Sequence, residues 1–304
     1  MITYLDSMAL TSAKLHRETE FLIPKFLAKR MITMIYADGG NGKTWLNYGA
    51  AAYICSRNLA KMVYYFDLDN PIDELAIRNV EGLLINKFDN FKYIHRSDLL
   101  ETPLETLEKL ASKEYSRNHA YEDMVFIIDS VRNVTNVLNN EKAMYMMNLL
   151  MDIREAGATV LFIAHSNKDG KNYEGSNNLK NSADAMFKEY LISKVEGVSI
   201  TVGLTAEKER SGIKSCDFTI CTQTLDMTEA DPIYSRMNSY EKEFVQKAKE
   251  LLKINPEGVN KTLFLESLGF KKDDTTARDT LDKFTDKFWK AKKDKNRFTY
   301  TLIR

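Results

Sequence analysis

The chain has 304 residues, 44% apolar and 28% charged, which suits about two or three globular domains needing no disulfide or metal staple. Lys plus Arg and Asp plus Glu both total 43, so no global charge announces a nucleic-acid or membrane partner. Three cysteines (Cys55, Cys216, Cys221) and four histidines are too few for a disulfide framework or a Cys/His zinc site. No apolar run reaches the ~18–20 residues that span a bilayer, so the expectation is a soluble, reduced, cytoplasmic protein without membrane association.

In chain order, residues 1–20 read as a possible N-terminal arm. Residues 31–36 (MITMIY) read as a short apolar strand before a glycine-rich turn, and 43–57 show helical spacing. Residues 62–66 (MVYYF) are strand-like, and 71–84 are helical with Pro71 near the first turn. Residues 124–128 (MVFII) form a buried strand ending in Asp129, 141–155 a helix, 159–163 (TVLFI) a strand, and 199–204 and 216–221 a later pair of strands. Continuous apolar strands separated by helices predict an α/β fold with a mostly parallel central sheet covered on both faces. Residues 226–238, polar and proline-containing, read as a linker, dividing a domain at 1–230 from one at 231–304.

Beyond the linker, residues 240–252 carry Phe244, Ala248, Leu251 and Leu252 on one helical face. Residues 260–268 predict a second short helix ended by Gly269, and 275–288 a third through Ala277, Leu281 and Phe284. Residues 297–302 alternate as a half-buried strand. Residues 241–304 hold 16 Lys/Arg against 11 Asp/Glu, a net +5 that leaves −5 for residues 1–240. That excess reads either as a solvated face or as a site for a polyanion.

The strongest motif is Ala37-Asp38-Gly39-Gly40-Asn41-Gly42-Lys43-Thr44, between a strand and a helix as a Walker A loop requires. Its glycines let successive N–H groups turn inward as an anion nest, and the helix N-terminus adds its positive dipole end. The nucleotide-binding set is Asp38, Gly39, Gly40, Asn41, Gly42, Lys43, Thr44 and Trp45. Lys43 is expected to reach the β- and γ-phosphates of ATP, and Thr44 to ligate Mg²⁺ together with Asp129, the acid at the end of a second central strand. Ser130 is a plausible auxiliary. No acid follows Asp129 directly, so the carboxylate that orients water is sought in Asp67-Leu68-Asp69-Asn70-Pro71.

A carboxylate at the end of the strand after the phosphate-loop helix resembles the RecA-like ATPases. Their Asp-x-Glu pattern places Asp69 on the catalytic glutamate, one methylene shorter, with Asp67 the second candidate; both acids also read as turn residues capping the helix at Pro71. Residues 164–170, with His165, Lys168, Asp169 and Gly170, resemble the His-x-x-Lys-Asp-Gly element of the RepA-type branch, which includes plasmid replicative helicases. The resemblance implies that His165 senses the γ-phosphate. Gly175-Ser176, Ala183-Asp184-Ala185 and the approach at 21–27 resemble further elements of that branch. Lys208-Glu209-Arg210 is similar to the Lys-x-Arg that RecA-like rings present to a neighbour's γ-phosphate, the alternative being an exposed basic hairpin.

The C-terminal pattern resembles a winged helix-turn-helix. Lys272, Arg278, Lys283 and Lys287 would lie on its third helix, and Lys290, Lys292, Lys293, Lys295 and Arg297 on its wing, facing DNA, with Trp289 in the wing core. Such modules also dock proteins. Together the resemblances imply an ATP- and Mg²⁺-dependent DNA motor assembling with itself, as a hexameric ring. The alternatives are an ATP-switched DNA-binding regulator or loader that unwinds nothing and, more weakly, a P-loop kinase.

Overall fold

The computed structural model describes residues 18–167, 172–294 and 297–303. The arm before residue 18, Lys168, Asp169, Gly170 and the wing residue Lys295 lie outside the described residues. The chain divides into two compact units, Met1–Pro232 and Ile233–Arg304.

The first unit is α/β, built on one large sheet that is parallel through its centre. After the short hairpin β1 (Phe21–Ile23) and β2 (Leu27–Ala28) come β3 (Ile32–Ala37), α1 (Lys43–Ser56), β4 (Met62–Asp67), α2 (Ile72–Ile77) and β5 (Phe91–His95). Then follow α3 (Pro103–Leu110), α4 (Lys113–Arg117), β6 (Met124–Asp129), α5 (Asn140–Glu155), β7 (Thr159–His165) and α6 (Asn177–Ser182). Four strands close the unit: β8 (Ala185–Val195), β9 (Ser199–Lys208), β10 (Cys216–Cys221) and β11 (Met227–Ala230). The nine-stranded sheet runs β11-β10-β9-β8-β3-β7-β6-β4-β5, parallel from β8 to β5 and antiparallel from β8 to β11. β3 is buried along its whole length, as a central strand covered on both faces must be. α1 lies over one face on Leu46, Ala50 and Ile54, while Met146, Leu150 and Ile153 of α5 cover the other. Gly49 lets α1 approach β10 closely, since a Cβ there would stand 3.1 Å from Ile220.

Several elements differ from the expectations. The helix expected over 71–84 stops at Ile77, because Asn79 turns left-handed (φ 51°) and its side-chain oxygen accepts the Gly82 N–H; a single π-type turn follows at Glu81–Ile85. β5, α3, α4 and β8 occupy stretches for which no element was expected. The expected linker is partly sheet, since β11 pairs with β10.

After the single helical turn α7 (Pro232–Ser235), the second unit places α8 (Ser239–Ile254), β12 (Val259–Asn260), α9 (Lys261–Ser267), α10 (Thr275–Lys283), β13 (Trp289–Asp294) and β14 (Arg297–Leu302) around its own core. Asn238 and Glu241 form a capping box at the start of α8. The third helix ends at Lys283, short of the expected 288. Trp289 is fully buried and its Nε1 donates to the Leu281 carbonyl (3.1 Å). Among the described residues no helix is long and apolar enough to cross a membrane.

Candidate active site

β3 delivers the chain to the phosphate loop at Ala37, and α1 leaves it at Lys43. Gly40 (φ 80°) and Gly42 (φ 109°) take left-handed conformations that L side chains rarely adopt. At Gly42 a Cβ would also come within 2.7 Å of Ile200 Cδ1, so glycine is required twice over. The Lys43 ammonium is buried along the loop, donating to the carbonyls of Ala37 (2.9 Å) and Asp38 (2.7 Å). Burial lowers its pKa, against the opposing pull of Glu189, Asp129, Asp38 and Asp69. Within the loop at 37–44, Lys43 is the cation that an anionic ligand would meet.

Parallel register levels the strand ends: Asp67 pairs with Asp129, and Ala37 with His165. Asp129 is buried, and its Oδ2 accepts from the Thr44 hydroxyl (3.0 Å) and the Tyr65 hydroxyl (2.9 Å). Burial, then the charge of Asp67, raises its pKa to about 6. A hydroxyl and a carboxylate in contact form the hard oxygen donor set that Mg²⁺ prefers, so these two residues fit that ion.

The two candidate acids part company here. Asp67 is fully buried and accepts from the backbone N–H groups of Asp69 and Asn70, the Asn70 amide and the Tyr93 hydroxyl. Asp69 keeps 42% of its side chain exposed; its Oδ1 accepts from Asn133 Nδ2 (2.8 Å), and its Oδ2 lies 3.8 Å from His165 Nε2. His165 also meets the Ser130 hydroxyl at 3.3 Å, and burial with nearby Lys43 and Arg132 lowers its pKa, favouring the neutral imidazole.

These groups line one cavity of about 830 Å³ that includes Gly39, Gly40, Gly42, Lys43, Thr44, Trp45, Asp69, Asp129 and His165. Its far walls were not expected from the sequence. One holds Ile77 and Arg78, whose guanidinium lies 5.9 Å from the Trp45 ring; the other holds Gly197 and Gln223, from the turns after β8 and β10, and Ile200 of β9. Glu189 was missed as well. It is 1% exposed, with neither carboxyl oxygen hydrogen-bonded among the described residues, and burial pushes its pKa to about 8 despite the pull of Lys43. A lone glutamate in a strand carries no sequence signal for such a place.

Lys208 and Arg210 lie away from this cavity in their own chain. Lys208 donates to the carbonyls of Lys180 (2.8 Å), Asn181 (2.9 Å) and Ala183, gathering the C-terminal end of α6. Arg210 is 55% exposed and pairs with Asp184 (3.1 Å), which also holds Arg154 and the Ile32 N–H. The basic residues of the second unit form their own group. Arg278, Lys290, Lys292, Lys293 and Arg297 are exposed, Lys283 pairs with Glu241 (2.5 Å), and Lys287 lies over the Phe284 ring.

A family model described as an AAA domain matches residues 5–171. Among solved structures, the flagellar accessory protein FlaH from Methanocaldococcus jannaschii is similar at 14% identity over 68% of this chain and 91% of that chain, with a TM-score of 0.47. No curated protein matches the sequence.

Proposed function

The chain belongs to the AAA domain family and is a P-loop ATPase, and from that premise we propose an oligomeric, Mg²⁺-dependent motor on DNA, of the RepA-type replicative helicase group. The observation that carries the hydrolytic part is the convergence of Lys43, Thr44, Asp129, Asp69 and His165 on one cavity.

Lys43 exchanges the Ala37 and Asp38 carbonyls for the β- and γ-phosphate oxygens. Thr44 and Asp129 would hold Mg²⁺, which supplies charge neutralisation across the phosphates. Asp69, exposed and accepting from Asn133, takes the proton of the attacking water as the bond from the γ-phosphorus to the β-bridging oxygen breaks and ADP leaves. His165, neutral, donates a hydrogen bond to the γ-phosphate. Trp45, Ile77 and Arg78 offer an aromatic, an apolar and a planar cationic surface suited to a purine base.

The trans element divides by role in this reading. Lys208, with its three carbonyl acceptors, anchors the strand end, and the more exposed Arg210 reaches the neighbouring copy's γ-phosphate. Support for a DNA partner comes from the second unit, whose order of helix, strand, two helices and a strand pair is that of a winged helix, and from the net +5 of residues 241–304. The deciding measurement is ATP turnover with and without single-stranded DNA, alongside a strand-displacement assay. Strong stimulation with displacement supports the motor. A flat, slow rate overturns it in favour of an ATP-switched DNA-binding regulator, a second reading favoured by the shorter Asp at position 69.

A further inference from the structure

The edge strand β5 supplies nothing to the cavity wall, yet two of its side chains grip the turn that carries Asp69. Tyr93 and His95 stand two residues apart, on one face of the strand. The Tyr93 hydroxyl donates to Asp67 Oδ2 (2.5 Å) and lies 3.0 Å from the Tyr48 hydroxyl of α1. His95 Nε2 donates to the Asn70 carbonyl (2.9 Å). Asp67 passes that anchorage on: its Oδ1 accepts the backbone N–H of Asp69 (3.1 Å) and of Asn70 (2.9 Å), and both its oxygens accept from the Asn70 amide (3.1 and 3.0 Å). A buried carboxylate saturated by this many donors has one orientation, and so does the turn it holds.

We propose that Asp67 and Tyr93 are a positioning pair for Asp69, fixing the turn at residues 67–70 so that the Asp69 carboxylate meets the attacking water. The proposal rests on Asp69 being the general base. Its physical ground is the length of that side chain. An aspartate has one bond fewer than a glutamate with which to correct its aim, so the backbone itself must be placed. Tyr93 also stacks on Tyr65 (centroids 5.1 Å apart, planes 7° apart), whose hydroxyl holds Asp129. The two rings thus serve two adjacent strand-end carboxylates, and removing only the Tyr93 hydroxyl leaves the stack in place.

The test compares Tyr93→Phe, Asp69→Asn and the double variant in the full chain, measuring kcat, KM for ATP and direct nucleotide affinity. Tyr93→Phe is expected to lower kcat about 10-fold with KM and affinity nearly unchanged, the signature of misplacement rather than lost binding. In the Asp69→Asn background the same change is expected to cost nothing further, because it acts through Asp69. Asp67→Asn, which exchanges one acceptor oxygen for an amide donor, reproduces the kcat loss and carries the comparison should Tyr93→Phe fold poorly. Wild-type kcat in both Tyr93→Phe and Asp67→Asn, or a loss that multiplies with that of Asp69→Asn, overturns the positioning pair alone. Wild-type turnover in Asp69→Asn overturns the assignment of the base, and the pair with it.

Discussion

The carboxyl of Glu189 lies against the phosphate loop at Gly42, where an added Cβ would stand 3.4 Å from Glu189 Oε1. Ile200 and Val202 meet the same point, so the carboxyl sits in an apolar recess with Lys43 as its nearby cation. Burial raises its pKa to about 8, so it keeps its proton well above the ordinary carboxylate range and becomes an anion as pH rises.

That titration predicts how nucleotide binding depends on pH. An anion beside Gly42 opposes the triphosphate, so affinity for ATP should fall as pH rises from 7 through about 8. Glu189→Gln should flatten the profile. Lys43, its pKa lowered by burial, would lose charge in the same direction, and the Gln variant separates the two. Asp129 titrates near 6 and His165 below its ordinary 6.5, so neither moves in this window. Isothermal titration between about pH 7 and 9 checks the prediction; identical profiles for the two proteins would refute it.

Stability should follow the same group. The pKa of Glu189 is raised in the folded chain from an ordinary 4.5 to about 8, so the native state binds the extra proton between those values. Its contribution to stability is fully present below 4.5 and is lost as pH rises towards 8. Thermal unfolding of Glu189→Gln should therefore lack part of the decline that wild type shows from neutral to alkaline pH. An unchanged slope would count against the buried acid.

What the sequence made legible was what the ligand itself dictates. Phosphate oxygens require small residues, then a cation and a hydroxyl at fixed spacing, so Gly39 to Thr44 could be read without a fold. That Asp67 is buried and held while Asp69 stays exposed could not, because the hold comes from Tyr93, 26 residues away on a strand whose mixed sequence FKYIH shows no clean alternation. Glu189 was equally hidden, since its burial against the loop involves Ile200 and Val202 on the next strand. The capping pair Thr102 and Glu105, by contrast, is a local signal for α3 that the sequence does carry.

Lys43→Ala should abolish turnover while sparing the fold. The lysine's own partners are two loop carbonyls beside an open cavity, which water can satisfy once the ammonium is gone. A loss of about 10²-fold or more in kcat is expected, with thermal unfolding within a few degrees of wild type. Near wild-type hydrolysis would remove the phosphate loop from the mechanism.

Lys208 and Arg210 should behave differently from one another. Lys208→Ala strips the shared donor from three carbonyls at the end of α6 and should cost about 1–3 kcal/mol of stability. Arg210→Ala, on a more exposed ion pair, should cost less than about 1 kcal/mol yet abolish assembled activity. Mixing Arg210→Ala with Lys43→Ala subunits should restore some turnover, because an intact loop can then face an intact arginine across a boundary. Specific activity independent of protein concentration, with no restoration on mixing, would exclude the trans role.

The second unit should carry the salt dependence of DNA binding. Every residue assigned to phosphate handling lies in Met1–Pro232, a unit with its own core, so deleting residues 233–304 should preserve basal hydrolysis. Lys290, Lys292, Lys293 and Arg297 are exposed on β13 and β14, and losing about four such phosphate contacts should lower the slope of log K against log salt by nearly that number. Lys290, Lys292 and Lys293 replaced together by Gln in the full chain should weaken binding evenly across sequences, since phosphate contacts carry little base information. Lys283, held by Glu241, should matter less than Arg278 on the same helix, which is exposed. Anisotropy titrations at two salt concentrations read all of these. Isotherms unchanged by the truncation would assign the unit to protein docking, where its loss should alter oligomeric state instead.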